Sequence, residues 1–437
     1  MSDPAAGAPD GERASPPAGA ASPDRKADAS GGKAAGAGDA AGAADGDAAR
    51  PADRELRPRR ALLLLAAGVA CFLLSHVLSH VPGLVEAVYG KRLGVWIPLA
   101  LSRLTGWLPF PLAELILAAG AVSYLGLAGR GVADVLRRRR GGRNAAAGAG
   151  LRVARDAGVV LVLFYVLWGF DYARAPLGER LGLPTGTGAD TAEIAALARQ
   201  EILATNAAYR RIHGSEDAGE PTRIEEDGAA LHRGLEQGWR AAVGLLGLDA
   251  ALLPARGRVK HFIPDAFLTR VGISGFFFPW TGEAVVDAGE PALLLPFDMA
   301  HEKAHQRGFA PENEASFMGW LASTRSPDPR VAYAGHAMAQ LTLVSILARS
   351  DPGLARRLAD RRLPGVRRDI RDYADYLRRT EVRVAAEATT RVNDAYLRAN
   401  QVPGGVQSYG RVARLLVAWA RAHDGRLEGG GAPRPGS

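Results

Sequence analysis

Residues 61–81 contain no Asp, Glu, Lys or Arg over 21 consecutive positions. A helix of that length is about 30 Å long, the thickness of a bilayer's hydrocarbon core. Ala61–Val81 is therefore expected to cross a membrane, and every other assignment must fit that constraint. A second span is expected at about 109–128, where Glu114 is the only charge. A third is expected at about 154–172, with Arg155 and Asp156 in the headgroups and Trp168 and Tyr172 as an interfacial belt. Because the third run is short, a buried soluble helix is its competing reading. The stretch from Val95 to Trp107 reads as an interfacial segment, since Lys91, Arg92 and Arg103 are too frequent for a bilayer interior. His76 and His80 are four apart and could form a metal pair, but Glu86 is the sole carboxylate near them. Histidines at the end of a span are the simpler reading.

Charge sets the orientation. Arg54, Arg57, Arg59 and Arg60 precede the first span, and Arg130, Arg137, Arg138, Arg139, Arg140, Arg143, Arg152 and Arg155 fill the second loop. The positive-inside rule puts both groups in the cytoplasm, so the chain after about Ala173 is expected outside it, on an otherwise cytoplasmic-membrane protein. Much of the net charge of +8 sits in this loop. It reads as topology and contact with anionic lipid, not as a nucleic-acid surface. Residues 1–55 are dominated by Ala, Gly, Asp, Pro and Ser and are expected to be a disordered tail with no cleavable signal, as are residues 426–437 at the other end. Cys71, the single cysteine, lies in the first span, so only His and carboxylate side chains remain to hold a metal in the outer part.

That outer part carries His301-Glu302-Lys303-Ala304-His305. On a helix, positions four apart stand one above the other, so both imidazoles can reach one zinc ion. Glu302 then lies beside the open coordination position, where a carboxylate can take a proton from water. The competing reading is a solvated helix with two ordinary histidines. Asp298 is expected to cap the helix just before Met299, and Gly308 to close it and turn the chain back. Lys303 points about 200° from His301, away from the metal.

A catalytic zinc usually takes three protein ligands. No histidine follows at the metzincin offset, where Pro311 stands, but Glu312 and Glu314 come next, with Pro311 opening a second helix. The two carboxylates point about 200° apart, so one faces the metal. Glu314 shares a stripe with Phe317, Met318 and Leu321. Glu312 shares its stripe with Ala315, Ser316 and Gly319, small residues that let two helices approach closely, and packing favours Glu312. Glu314 remains the alternative, and the carboxylate that is not a ligand would serve as a first-turn charge.

Glu312 followed by Ala315-Ser316 resembles the third-ligand helix of gluzincin-type zinc metallopeptidases, usually Glu-x-x-Ala-Asp or Glu-x-x-Ala-Asn. The resemblance implies that Glu312 is the ligand and puts Ser316 in the Asp/Asn place, where a weaker hydrogen bond to the ligand shell bears on metal affinity. Gly275-Phe276-Phe277-Phe278-Pro279-Trp280-Thr281-Gly282-Glu283, His301 to Phe317, Tyr396 to Asn400 and Ser408-Tyr409-Gly410 resemble, in order and spacing, a bacterial membrane family known as domain of unknown function 3810. The likeness covers most of residues 60–420. Lys303 departs from it, since those relatives usually carry an apolar residue there.

Within residues 174–425, helices are expected at Thr191–Ile212, Ala229–Leu246, Ala332–Ala348 and Ser408–Ala422, with one long charged helix from Arg368 to Ala399. Tyr376, Thr380, Val384 and Glu387 in that segment read as a solvated amphipathic face. Arg258–Phe262 and Gly275–Val286 read as strands, the latter a hairpin around Trp280–Gly282. In gluzincin-like peptidases such a strand edge pairs with extended substrate, which makes Phe276, Phe277 and Phe278 candidate substrate contacts. An ordinary half-buried aromatic strand is the equal alternative. Tyr333, His336, Tyr396 and Tyr409 are possible oxyanion donors. The expected fold is a mainly α membrane protein, three transmembrane helices followed by an α+β zincin-like extracytoplasmic domain with a small β element. The expected function is a zinc hydrolase, in first place a metallopeptidase, with Zn²⁺ on His301, His305 and Glu312, Glu302 as general base, a peptide or protein substrate, and the lipid bilayer as partner. A non-catalytic zinc sensor or scaffold is the main rival, and a membrane assembly factor with a coincidental motif the third reading.

Overall fold

The computed structural model describes residues 51–136, 142–184, 188–224, 228–264, 266–402 and 411–427. Most of the two expected tails, the arginine run at 137–140, and Ser408 and Tyr409 fall outside these residues. Helix α1 (Pro51–Leu78) begins inside the expected N-terminal tail. A short helix α2 (Pro82–Val85) and a wide π-helical turn (Glu86–Leu93) lead into α3 (Gly94–Thr105), which is the expected interfacial segment between the first two apolar runs. Next come α4 (Leu112–Leu136) and α5 (Gly142–Leu167).

Three helices are long and apolar enough to cross a membrane, at Pro58–Leu78, Leu112–Ala133 and Pro329–Ser350. The first two are those expected from the sequence. They leave Leu62, Leu63, Leu73, Leu74, Leu115, Ile116 and Leu125 exposed, as a lipid-facing surface would. The third is α12 and not the run expected at about 154–172, and 67 % of its most apolar window is buried inside the protein. The expected third span also differs in shape. Helix α5 stops at Leu167, and Gly169–Ala173 winds into a tight 3₁₀ turn that buries Trp168 and Tyr172. Those two aromatics are not a lipid-facing belt. What α5 does is pack along α1 in parallel: a Cβ on Gly158 would lie 2.3 Å from the Leu64 carbonyl carbon, and one on Gly68 would lie 2.8 Å from Leu161 Cβ. Small residues at this crossing permit close backbone contact, the usual device between helices in lipid.

Beyond α6 (Leu177–Arg180), α7 (Thr191–His213) opens on a capping box between Asp190 and Glu193 and ends at Gly214 in the left-handed region, φ 65°. Helix α8 (Gly228–Leu245) follows, then β1 (Lys260–Phe262), α9 (Phe267–Arg270), β2 (Gly275–Phe278) and β3 (Glu283–Asp287). The sheet order is β1-β3-β2, with β1 parallel and β2 antiparallel to β3. The expected hairpin is present, and its Gly282 takes φ 66° at a point where a Cβ would also lie 2.7 Å from the Ser102 nitrogen. Central β3 is buried at all five positions, while outer β2 is half-buried over Gly275–Phe277.

Helices α10 (Leu295–His305), α11 (Glu312–Thr324), α12 (Pro329–Ser350), α13 (Pro352–Ala359), α14 (Pro364–Thr380), α15 (Arg383–Ala399) and α16 (Val412–Arg421) complete the chain. Phe317, Trp320, Leu321, Leu343, Leu416 and Trp419 share the main core with Trp239 of α8. The single charged helix expected from Arg368 to Ala399 is in fact two. The chain extends at Glu381–Val382, where the Val382 N–H bonds to the Arg270 carbonyl of α9 at 3.0 Å, and that docking breaks the helix. From Pro51 onward the chain is one compact unit, and Trp168–Arg180 packs into the centre of it.

Candidate metal centre

Helix α10 starts at Leu295, not after Asp298, which lies a turn inside it; Pro296 supplies the first-turn proline. The helix is buried on every side, since its residues other than Asp298 are all less than a tenth exposed. This excludes the solvated-helix reading. Lys303 is fully buried and compensated: its Nζ pairs with Glu236 Oε1 of α8 at 2.7 Å and donates to the Gly257 carbonyl at 2.9 Å. Arg307 Nη2 holds the other Glu236 oxygen at 2.7 Å. Removing Glu236 would strand two buried cations, which is why the acid and the base occur together.

The helix ends at His305. Gly308 takes φ 80°, the Phe309 N–H reaches back to the Ala304 carbonyl at 3.2 Å, and the chain returns toward the histidines as the sequence implies. Close approach of α11 depends on Gly319, where a Cβ would lie 3.1 Å from the His301 nitrogen. Three side chains then converge. His301 Nε2 lies 3.1 Å and His305 Nε2 3.5 Å from Glu312 Oε2, and the three ligand atoms are all within 4.8 Å of one another. Among the described residues this is the one cluster of three or more His, Cys or carboxylate side chains with metal-site spacing. His76 and His80 are not part of one; His76 Nδ1 bonds back to the Phe72 carbonyl, and Glu86 is tied to Arg174.

The other ring nitrogens are occupied. His305 Nδ1 donates to the Phe309 carbonyl at 2.8 Å, and His301 Nδ1 lies 3.2 Å from Ser316 Oγ. A carbonyl can only accept, so Nδ1 of His305 carries a proton, and in the neutral ring the Nε2 lone pair is the one left to face the cluster. Ser316 thus holds the outer nitrogen of the His301 ring and fixes its orientation. Burial would lower the His301 imidazole, but Glu312, Glu302 and Asp298 raise it to about 9. Burial likewise acts to raise Glu312, yet His301 and His305 hold it well below the ordinary carboxylate range. A carboxylate facing two imidazoles is a donor set that fits a divalent ion of the zinc type.

Glu314 is elsewhere. Its Oε1 accepts from the Leu177 N–H at 2.7 Å and its Oε2 from Arg180 Nη2 at 2.9 Å. It is therefore a buried anchor for α6, more than a first-turn charge. Arg180 in turn lies over the Phe309 ring, 5.6 Å from its centroid, so Glu314 supports the loop that orients His305.

Glu302 takes no part in the cluster of three. It is buried, and its Oε2 has no hydrogen-bond partner. Burial pushes its carboxyl up to about 7, against the lowering pull of His305 and His301. Gly275 of β2 makes room for it, since a Cβ there would lie 3.0 Å from Glu302 Cγ and 2.8 Å from the Val285 carbonyl oxygen.

The remaining candidates divide. Alternation along β2 puts Phe277 on the site side, its ring 5.6 Å from Trp168, which meets His305 edge-on at the same 5.6 Å. Phe276 packs away from the site with Phe262 and Leu268, and the Phe278 ring lies tilted against that of Trp280, 4.8 Å between centroids. Tyr333 and His336 lie in the helical core, with the Tyr333 hydroxyl on Asp369 at 2.6 Å and His336 Nδ1 on Glu201 at 2.7 Å. Neither is at the centre, because both sit on the face of α12 turned to α7 and α14. Tyr396 is close by, its hydroxyl 3.2 Å from that of Tyr172; burial pushes it up, and the Glu312 charge adds to that. Sequence reasoning missed Trp168 and Tyr172, whose aromatic character pointed equally to a bilayer interface. It also missed Arg174, which clamps the Gly308 carbonyl at 3.1 Å while paired with Glu86 at 2.8 Å. The one sequence hint was Asp171 and Arg174, two charges immediately after an apolar run.

Residues 89–417 match the family described as protein of unknown function (DUF3810). The chain belongs to this family. The match takes in α3 through most of α16 and so contains the entire DUF3810 centre, while the apolar span of α1 precedes it. No curated protein and no solved structure matches the chain.

Proposed function

We propose that this DUF3810 protein is a membrane-anchored zinc hydrolase that cleaves peptide bonds. The reading rests above all on one arrangement: two imidazoles with their outer nitrogens engaged and a carboxylate converge, beside a buried glutamate whose Oε2 is unpartnered. His301, His305 and Glu312 would hold Zn²⁺, which supplies a Lewis acid that makes water acidic near neutral pH. Glu302 accepts the proton of the attacking water and returns it to the leaving amine, a task open to a buried carboxyl whose Oε2 is unpartnered. Tyr396, hydrogen-bonded to Tyr172, donates to the oxyanion that develops on the scissile carbonyl. Trp168 and Phe277 wall the site and exclude bulk water. The zincin-like character of the domain, one sheet edge beside the two-histidine helix, belongs to the same proposal. Zinc analysis of the full-length protein paired with peptide-library cleavage tests it. One zinc per chain and cleavage stopped by a chelator support the reading, and the lack of either overturns it.

In this reading α1, α4 and α5 cross the bilayer. The start of α1, the last turn of α4 and the first turn of α5 lie at the helix ends away from the centre, and the sequence around them is rich in arginine, so the N-terminus is cytoplasmic and the catalytic domain extracytoplasmic. A reporter fused after Arg143 is expected in the cytoplasm and one fused after Ser437 outside. Finding both on one side would refute this topology.

A further inference from the structure

We propose that the substrate of this centre is the stretch of polypeptide that borders a transmembrane helix of another protein, cleaved within a few residues of the membrane surface. The proposal rests on the zinc-peptidase reading and adds a location to it.

The depth of the site follows from the parallel helices α1 and α5. The Leu64 carbonyl faces Gly158, Gly68 faces Leu161, and the Phe72 ring stands 6.2 Å from that of Tyr165. Continued by one turn, this register puts Trp168 level with Ser75, three residues before the apolar span ends at Leu78. At 1.5 Å per residue that is about 4.5 Å inside the end of the span. Trp168 Nε1 donates to the His305 carbonyl at 3.3 Å. The Trp168 ring also meets the His305 ring at 5.6 Å, so among the described residues the metal helix is joined directly to the span ends.

The second span arrives at the same level. Glu283, the first residue of β3, accepts the N–H groups of Leu112 and Ala113 at 2.9 and 2.7 Å, capping the start of α4. Strand β2 pairs with that same β3 and passes Glu302 at Gly275. The sheet edge and the base are thus built directly on a membrane-helix terminus. Around the same rim, Leu84, Val88, Trp96, Leu104 and Trp107 are exposed, with Trp107 77 % exposed. An apolar, tryptophan-bearing rim at the ends of two spans is the pattern of a membrane-water interface.

The occupant is polypeptide because of β2. It is the outer strand of its sheet, half-exposed, and among the described residues the backbone of Gly275–Phe277 bonds only to β3. Such an edge accepts an extended chain by backbone hydrogen bonds. An extended residue covers about 3.3–3.6 Å, so a chain emerging from a neighbouring helix reaches Glu302 within its first few residues.

The test uses the full-length protein in phosphatidylethanolamine–phosphatidylglycerol vesicles. A sequence cleaved in the peptide library is placed about 5 or about 40 residues beyond a single transmembrane helix at equal surface density, and is also supplied as a free peptide. Cleavage at the near position is expected to exceed the far one by about tenfold or more, because effective concentration falls steeply with tether length. A centre standing off the membrane would reverse that order, since a tether too short to span gives no effective concentration. Faster or equal cleavage of the far or free sequence overturns the proposal and leaves the peptidase reading intact. Fatty-acid release from the vesicles without peptide cleavage would assign the centre to lipid and overturn both. If the wild-type protein cleaves none of the three, with Glu302→Gln as the blank, the peptidase reading itself fails.

Discussion

Glu302→Gln is expected to keep one zinc per chain and to lower kcat by about 10²–10⁴-fold, the usual contribution of a positioned general base. Glutamine has the shape of the glutamate and fits the space opened by Gly275, so the fold has no reason to change. Metal retention is expected because the three converging side chains are His301, His305 and Glu312, while Glu302 Oε2 bonds to nothing. Neutralising position 302 also removes one of the charges that hold a proton on His301, which does not hinder metal uptake. Zinc analysis and single-substrate kinetics on the same preparation decide the matter. Loss of zinc would make Glu302 a ligand, and unaltered turnover would leave it no chemical role, in favour of a sensor or scaffold.

The two glutamates of α11 are expected to fail in different ways. Glu312→Ala removes the carboxylate that both imidazoles face, and zinc affinity should drop by well over tenfold, since losses one step further from a metal already cost roughly 10–100-fold. Folding should survive, because the imidazoles left behind can shed their protons and stay neutral, which a guanidinium cannot do. Glu314→Ala should do the reverse. It leaves the Leu177 N–H and the Arg180 guanidinium without their partner, with only 12 % of Arg180 and 7 % of Glu314 exposed. Breaking a buried pair from one side costs on the order of 3–5 kcal/mol. The folded fraction should nevertheless bind zinc one to one. Denaturation midpoints and metal content measured on folded protein separate the outcomes. Zinc loss confined to Glu314→Ala would move the ligand to that residue.

This contrast could not be drawn from the chain alone, and it marks where sequence reasoning stops. On a helix, the sequence spacing of His301 and His305 sets their angular relation, so their shared face was legible. So were the small stripe of Glu312, Ser316 and Gly319, the turn at Gly308, and the apolar spans of α1 and α4, all governed by neighbours within a few residues. The sequence by itself thus determined two helices long and apolar enough to cross a membrane, two imidazoles on one helix face and a carboxylate able to join them. Tertiary structure decided what those elements meet. Glu314 finds Leu177 across 137 residues, Trp168 finds the His305 carbonyl across 137, and Tyr333 finds Asp369 in the core. It also turned Trp168 and Tyr172 from the surface to the wall of the centre, buried Lys303 against Glu236, and parted α14 from α15 where Val382 docks on Arg270. A buried charge or aromatic ring takes its role from the partner that compensates it. That partner lies anywhere the chain returns to, and no local period encodes it.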